Sequence, residues 1–77
     1  MKLPIISGKQ VIKTLNKIGF YKTRQRGDHV IIRKDEPNKI VVPVPLHNTL
    51  APGTLLSIIK KANLTKEEFI ELLKKRL

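Results

Sequence analysis

The chain contains no cysteine and no tryptophan. Without thiols there is no disulfide framework and no thiolate nucleophile, a usage that fits a reducing cytosol. Aromatic residues are scarce, with Phe20, Tyr21 and Phe69 the full set. A sheet that stacks unpaired bases on a pattern of exposed rings needs more than that. Recognition through shape and through basic groups on the phosphate backbone is expected instead. No apolar run approaches a membrane span, and the stretch before Gly8 is too short for a signal peptide. A soluble cytoplasmic protein with no membrane partner is the expectation. No glycine-rich phosphate loop of the Walker or Rossmann kind is present. Acidic residues number only six and histidines two, His29 and His47, so clustered metal ligands are not expected. Neither a metal nor a cofactor is called for.

Basic residues are what the chain has in excess. Sixteen Lys and Arg against six Asp and Glu give a formal net charge of +10 over 77 residues. A domain this basic draws polyanions by its long-range field and by counterion release. Nucleic acid leads as the partner class, ahead of an anionic membrane surface. The length allows one hydrophobic core and one domain spanning residues 1–77.

Punctuation along the chain gives the element order. Ser7-Gly8-Lys9-Gln10 reads as a capping box, and Val11, Ile12, Leu15 and Ile18 then share a helical face. A helix is expected over about residues 8–18, closed by Gly19. Phe20–Gln25 reads as a strand with Lys22 and Arg24 on one side by period-two alternation. Arg26-Gly27-Asp28 is a tight hairpin connection. His29–Lys34 is a second strand, Asp35–Asn38 a turn and Lys39–Val44 a third strand, with Pro43 favouring a sheet edge. After a loop, Pro52-Gly53-Thr54 opens a helix that ends at Asn63 or Leu64. Thr65–Glu68 is a second capping box, starting a final helix whose end carries Lys74-Lys75-Arg76. The predicted fold class is α+β: an α-β-β-β-α two-layer sandwich with an extra C-terminal helix.

His29 is the residue best suited to chemistry. Histidine exchanges protons near neutral pH. In a basic surface it meets a phosphodiester, and RNA needs little more for cleavage. A base takes the 2′-hydroxyl proton, the oxygen attacks the adjacent phosphate, and Lys or Arg stabilises the added charge. The plain alternative is a polar residue where a strand begins. His47 reads as a loop residue or a cap for the second helix, with a share in the chemistry left open. Asp28 is first a turn residue. It can also orient His29, although neighbours on a strand point apart. Candidate phosphate contacts are Lys9, Lys13, Lys22, Arg24, Arg26, Gly27, Arg33, Lys39 and Thr54, the last through free N–H groups where the second helix starts. Each also reads as an ordinary surface or turn residue.

Three segments carry a family resemblance. They are Ser7–Leu15 followed by Gly19-Phe20; Arg26-Gly27-Asp28-His29-Val30; and Val42-Pro43-Val44-Pro45-Leu46-His47 followed by Leu50-Ala51-Pro52-Gly53-Thr54-Leu55 and Ile58-Ile59. In this order they resemble the HicA toxin family, also described as YcfA-like, over roughly Ser7 to Asn63. The resemblance implies a double-stranded-RNA-binding-domain-like fold, cleavage of mRNA and growth arrest, with His29 at the family's catalytic histidine. It also implies neutralisation by a HicB antitoxin, through which alone DNA would be contacted. Asp28 stands where the family often has Ser, and the helix from Thr65 extends past the usual core. A non-catalytic RNA-binding module is the alternative reading.

Overall fold

The computed structural model describes residues 2–75. Three helices and three strands follow in the order α1 (Gly8–Asn16), β1 (Tyr21–Arg26), β2 (His29–Lys34), β3 (Ile40–Pro45), α2 (Pro52–Lys61) and α3 (Lys66–Lys74). The expected α+β order is therefore found, with β1 and β3 each displaced by one residue. The C-terminal part of the Lys74-Lys75-Arg76 run lies outside the described residues.

Both capping boxes form. The Ser7 hydroxyl accepts from the Gln10 amide at 3.2 Å, and the Gln10 side chain accepts from the Ser7 amide at 2.8 Å. Thr65 and Glu68 repeat the exchange at 3.0 and 2.8 Å. Each box satisfies two amides that a helix start leaves without partners. Helix α1 is shorter than its pattern suggested, since Lys17 to Gly19 form a turn beyond Asn16.

The strands form one antiparallel sheet in the order β1-β2-β3. Pro43 thus sits in an edge strand, where a missing donor is tolerated. Alternation along β2 and β3 sends Val30, Ile32, Val42 and Val44 under the helices, all nearly inaccessible to solvent. They meet Val11 and Leu15 of α1, Leu55, Ile58 and Ile59 of α2, and Phe69 of α3. The C-terminal helix is therefore part of the core. Its end is tied down by Lys17, whose ammonium donates to the carbonyls of Leu72 at 3.0 Å and Lys75 at 2.6 Å. A cation on these carbonyls complements the helix dipole.

Strand β1 departs from simple alternation. Lys22 pairs with Ile32, but Arg24 pairs with Ile31, so a bulge lies between them at Thr23. The Thr23 hydroxyl donates to the Ile31 carbonyl at 3.1 Å. One extra residue moves everything after it to the opposite face. Lys22 therefore shares the face of buried Ile32, while Arg24 shares the open face with Ile31. The expectation that the two share a side is corrected.

Candidate active site

Paired residues on neighbouring strands share a face. On the side of the sheet turned from the helices they make three rungs. Arg26, His29 and Pro45 form one; Arg24, Ile31 and Pro43 the next; Tyr21, Arg33 and Val41 the third. His29 thus lies at one end of the sheet, directly opposite Arg26.

The hairpin beside it is a two-residue connection, Gly27-Asp28. Gly27 has a φ of 57°, the positive value that a type II′ turn places on its first central residue. This leaves Asp28 in the turn and free of the strand's alternation. Its carboxylate folds back onto the following residue, and His29 Nδ1 donates to Asp28 Oδ1 at 2.9 Å. The strand rule that separates neighbouring side chains does not reach this position, so the expectation that the two point apart is corrected.

The other carboxylate oxygen takes a second imidazole. His47 Nε2 donates to Asp28 Oδ2 at 3.2 Å. Backbone bonds bring His47 there. The Leu46 amide donates to the Asp28 carbonyl at 2.6 Å, and the Gly8 amide donates to the His47 carbonyl at 3.0 Å. The loop after β3 is thereby fixed between the hairpin and the first turn of α1. Hydrogen bonds from His29 first, and from His47 second, hold the Asp28 carboxyl below its ordinary range. All three side chains remain about half exposed. A substrate therefore reaches them without opening the fold.

His29 also borders a shallow groove of about 370 Å³ between β3 and α2. Thr54, Ser57 and Lys61 line its helical wall, with Gly53 at its end. No side chain caps the start of α2, whose first turn is also without an acidic residue. Its leading N–H groups are thus open to an anion beside the imidazole. Lys61 supplies a full positive charge on the same wall.

The remaining predicted contacts divide by place. Arg26, Gly27 and Thr54 surround His29, and Arg24 lies one rung away. Arg33 lies at the far end of β2, where its Nε donates to Asp35 at 2.6 Å. Lys39 is at that same far end, where bonds from Tyr21 first and Arg33 second hold the Asp35 carboxyl low and the Lys39 charge adds least. Lys22 is on the other face of the sheet. Lys13 lines a separate groove between α1 and α3, with Gln10, Lys17 and Leu73. Lys9 is exposed in the first turn of α1, next to the Gly8 amide that holds the His47 loop. Sequence reasoning missed Ser57 and did not place Lys61 with His29. The signal was present, since Thr54, Ser57 and Lys61 recur at helical spacing beside the apolar stripe of α2.

Both oxygens of Asp28 hold ring N–H groups, and no set of three or more metal-ligating side chains converges among the described residues. The chemistry within reach is proton transfer beside a helix start open to an anion.

The family described as the HicA toxin of bacterial toxin-antitoxin systems matches residues 8–64. No curated protein matches the chain.

Proposed function

The chain belongs to the HicA family of toxins from bacterial toxin–antitoxin systems, and from that premise we propose that it is a metal-independent endoribonuclease acting on mRNA through His29. The observation that carries this reading is the Asp28 bridge. The carboxylate accepts from His29 Nδ1–H, so the protonated nitrogen is fixed and Nε2 presents its lone pair. This is the arrangement a general base needs.

In the proposed reaction the scissile phosphate sits between His29 and the start of α2. His29 Nε2 takes the proton of the 2′-hydroxyl. The oxygen attacks phosphorus, and the 5′-oxygen leaves with a proton, giving a 2′,3′-cyclic phosphate and a 5′-hydroxyl end. Lys61, Arg26 and the free N–H groups near Thr54 stabilise the charge added to the phosphate. His47, on the same carboxylate as His29, is the nearest second imidazole to serve the leaving oxygen. Gly27 contributes by its turn and Arg24 by steering the neighbouring phosphate. DNA lacks the hydroxyl that starts the reaction and is not cut. A HicB-type antitoxin neutralises the chain by laying an acidic surface over Arg24, Arg26 and the hairpin. DNA is reached only through that partner, and the cytoplasm, where mRNA is, is the site of action.

The test is cleavage of a defined RNA in excess EDTA. The unaltered chain is expected to give cyclic-phosphate ends, and His29→Ala to be slower by about 10²–10⁴-fold. A single 2′-deoxy nucleotide at the cut is expected to block it. Equal cleavage by both chains, or RNA binding with no new ends, would remove the catalytic assignment.

A further inference from the structure

The open face of the sheet carries His29, Arg26 and Arg24 at one end and continues past them to the rung of Tyr21, Arg33 and Val41, which has no part in the reaction above. We propose that this face is a track for single-stranded RNA, leading from His29 along β2 to a base-stacking subsite at Tyr21. The proposal rests on the ribonuclease reading of His29 for its starting point and goes beyond it in naming the substrate's form.

Tyr21 is the one exposed tyrosine or phenylalanine ring among the described residues. Stacking is therefore confined to a single base, and the rest of the contact falls to basic groups, as the scarcity of aromatics requires. Tyr21 is 44 % exposed, against 2 % for Phe20 and 0 % for Phe69. A large ring left in water on a small basic domain is available for contact. The ring is also fixed before anything binds. Its hydroxyl donates to Asp35 Oδ2 at 2.7 Å, and Arg33 Nε donates to Asp35 Oδ1 at 2.6 Å. One carboxylate thus holds the phenol ring and a guanidinium plane on the same rung. A platform already ordered loses less freedom when a base settles on it.

Spacing and charge connect this platform to His29. Successive rungs are two residues apart along β2, or about 7 Å, a distance that an extended ribonucleotide spans. Tyr21 is two rungs from His29. The rung between offers Ile31 as apolar surface, with Arg24 beside it. Arg24 and Arg26 make no ion pair among the described residues. Their charges remain for a phosphate backbone, whereas Asp35 is matched by Arg33. The strand must be single, because paired bases hide the faces that Tyr21 would stack. Asp28 and Asp35 mark the two ends of the track and keep the backbone nearer to Arg24 and Arg26.

The experiment measures binding of a labelled single-stranded hexaribonucleotide by fluorescence anisotropy, in a His29→Ala background that leaves the RNA intact. Tyr21→Ala is expected to bind about tenfold more weakly. Tyr21→Phe keeps the stacking face but gives up the Asp35 bond that orders it, and is expected to bind with an affinity between those of Tyr21 and Tyr21→Ala. An abasic nucleotide is then moved along the RNA. At one position it should weaken the Tyr21 chain about as much as Tyr21→Ala does, and should not weaken Tyr21→Ala further. Unchanged binding by Tyr21→Ala overturns the proposal, as does an abasic loss that adds to it at every position. Loss of antitoxin binding alone, with RNA binding intact, also overturns it by giving the face to a protein. Thermal unfolding of the exposed-site variant confirms that it is folded. Ring-dependent stacking by a chain that makes no RNA ends supports the track and removes only the catalytic reading. Cleavage with no dependence on Tyr21 at any substrate length removes only the track.

Discussion

Asp28 joins two imidazoles that are 18 positions apart, His29 and His47, through two oxygens of one carboxylate. An amide in its place accepts through one oxygen only, so Asp28→Asn must release one ring or present an N–H to it. We expect Asp28→Asn to slow RNA cleavage by about tenfold or more, which is less than the loss of the base itself. The pH dependence separates this positioning role from direct proton transfer. Bonds from the two histidines hold the Asp28 carboxyl below its ordinary range, so near neutral pH the carboxylate is ionised. Its substitution should therefore lower kcat/KM at neutral pH, where the carboxylate does not titrate. Loss of a limb that lies in the ordinary carboxylate range would show instead that Asp28 itself exchanges the proton. The same lowering has a sign for stability: the Asp28 pairing favours the fold above the ordinary carboxylate range and is lost as pH falls below it. Because the group is exposed, that contribution is small.

At the scale of elements, two positions couple the fold to the site in different degrees. A Cβ on Gly8 would overlap the Pro45 carbonyl, with the Leu46 backbone just behind. The Gly8 amide also holds the His47 carbonyl. Gly8→Ala is expected to cost about 1–3 kcal/mol through forced separation of α1 from the β3 loop. It should also reduce cleavage at a temperature where the chain is still folded. Phe69 is fully buried on α3, beyond the 8–64 match. Phe69→Ala is expected to cost about 3–5 kcal/mol, with cleavage retained well below the lowered Tm. Thermal unfolding and activity together check both, and equal activity loss per unit of destabilisation would contradict the special place given to Gly8. Most of these elements were legible in the chain. Capping boxes, apolar periodicity and the Gly27 turn are local signals, and they placed each helix and strand to within a few residues. The Thr23 bulge was not legible, because a threonine reads as an ordinary strand residue and its bond goes to a carbonyl on the neighbouring strand. The Asp28–His47 contact was hidden for a related reason, since it depends on where the Leu46 amide docks. His29 itself stood out by residue type and hairpin, while the groove wall of Ser57 and Lys61 required α2 to be set beside β3.

Over the whole molecule the charge is unevenly spread. Three of the six acids, Glu67, Glu68 and Glu71, belong to α3, which packs with α1 and α2 away from the open face of the sheet. The other three include Asp28 and Asp35, each already engaged by its own side-chain partners. The basic excess is thus concentrated on the sheet, α1 and α2, and its effect on RNA can be either general or local. Salt dependence distinguishes the two. If the formal charge of +10 acted as a whole, log K would fall with log salt at a slope of about −7 for a single strand. If binding rests on Arg24, Arg26 and Lys61 beside His29, the slope is about −2. The geometry favours the smaller value, because Lys22 faces the other side of the sheet, Lys13 lines another groove and Arg33 is paired with Asp35. Titrating a short single-stranded RNA at several salt concentrations against the His29→Ala chain measures it. Replacing Arg24 by Gln should then remove about 0.7 from the slope, whereas replacing Lys13 should leave it unchanged. A slope near −7, insensitive to Arg24, would mean that RNA is held by the field of the whole surface, with His29 acting on whatever phosphate passes it.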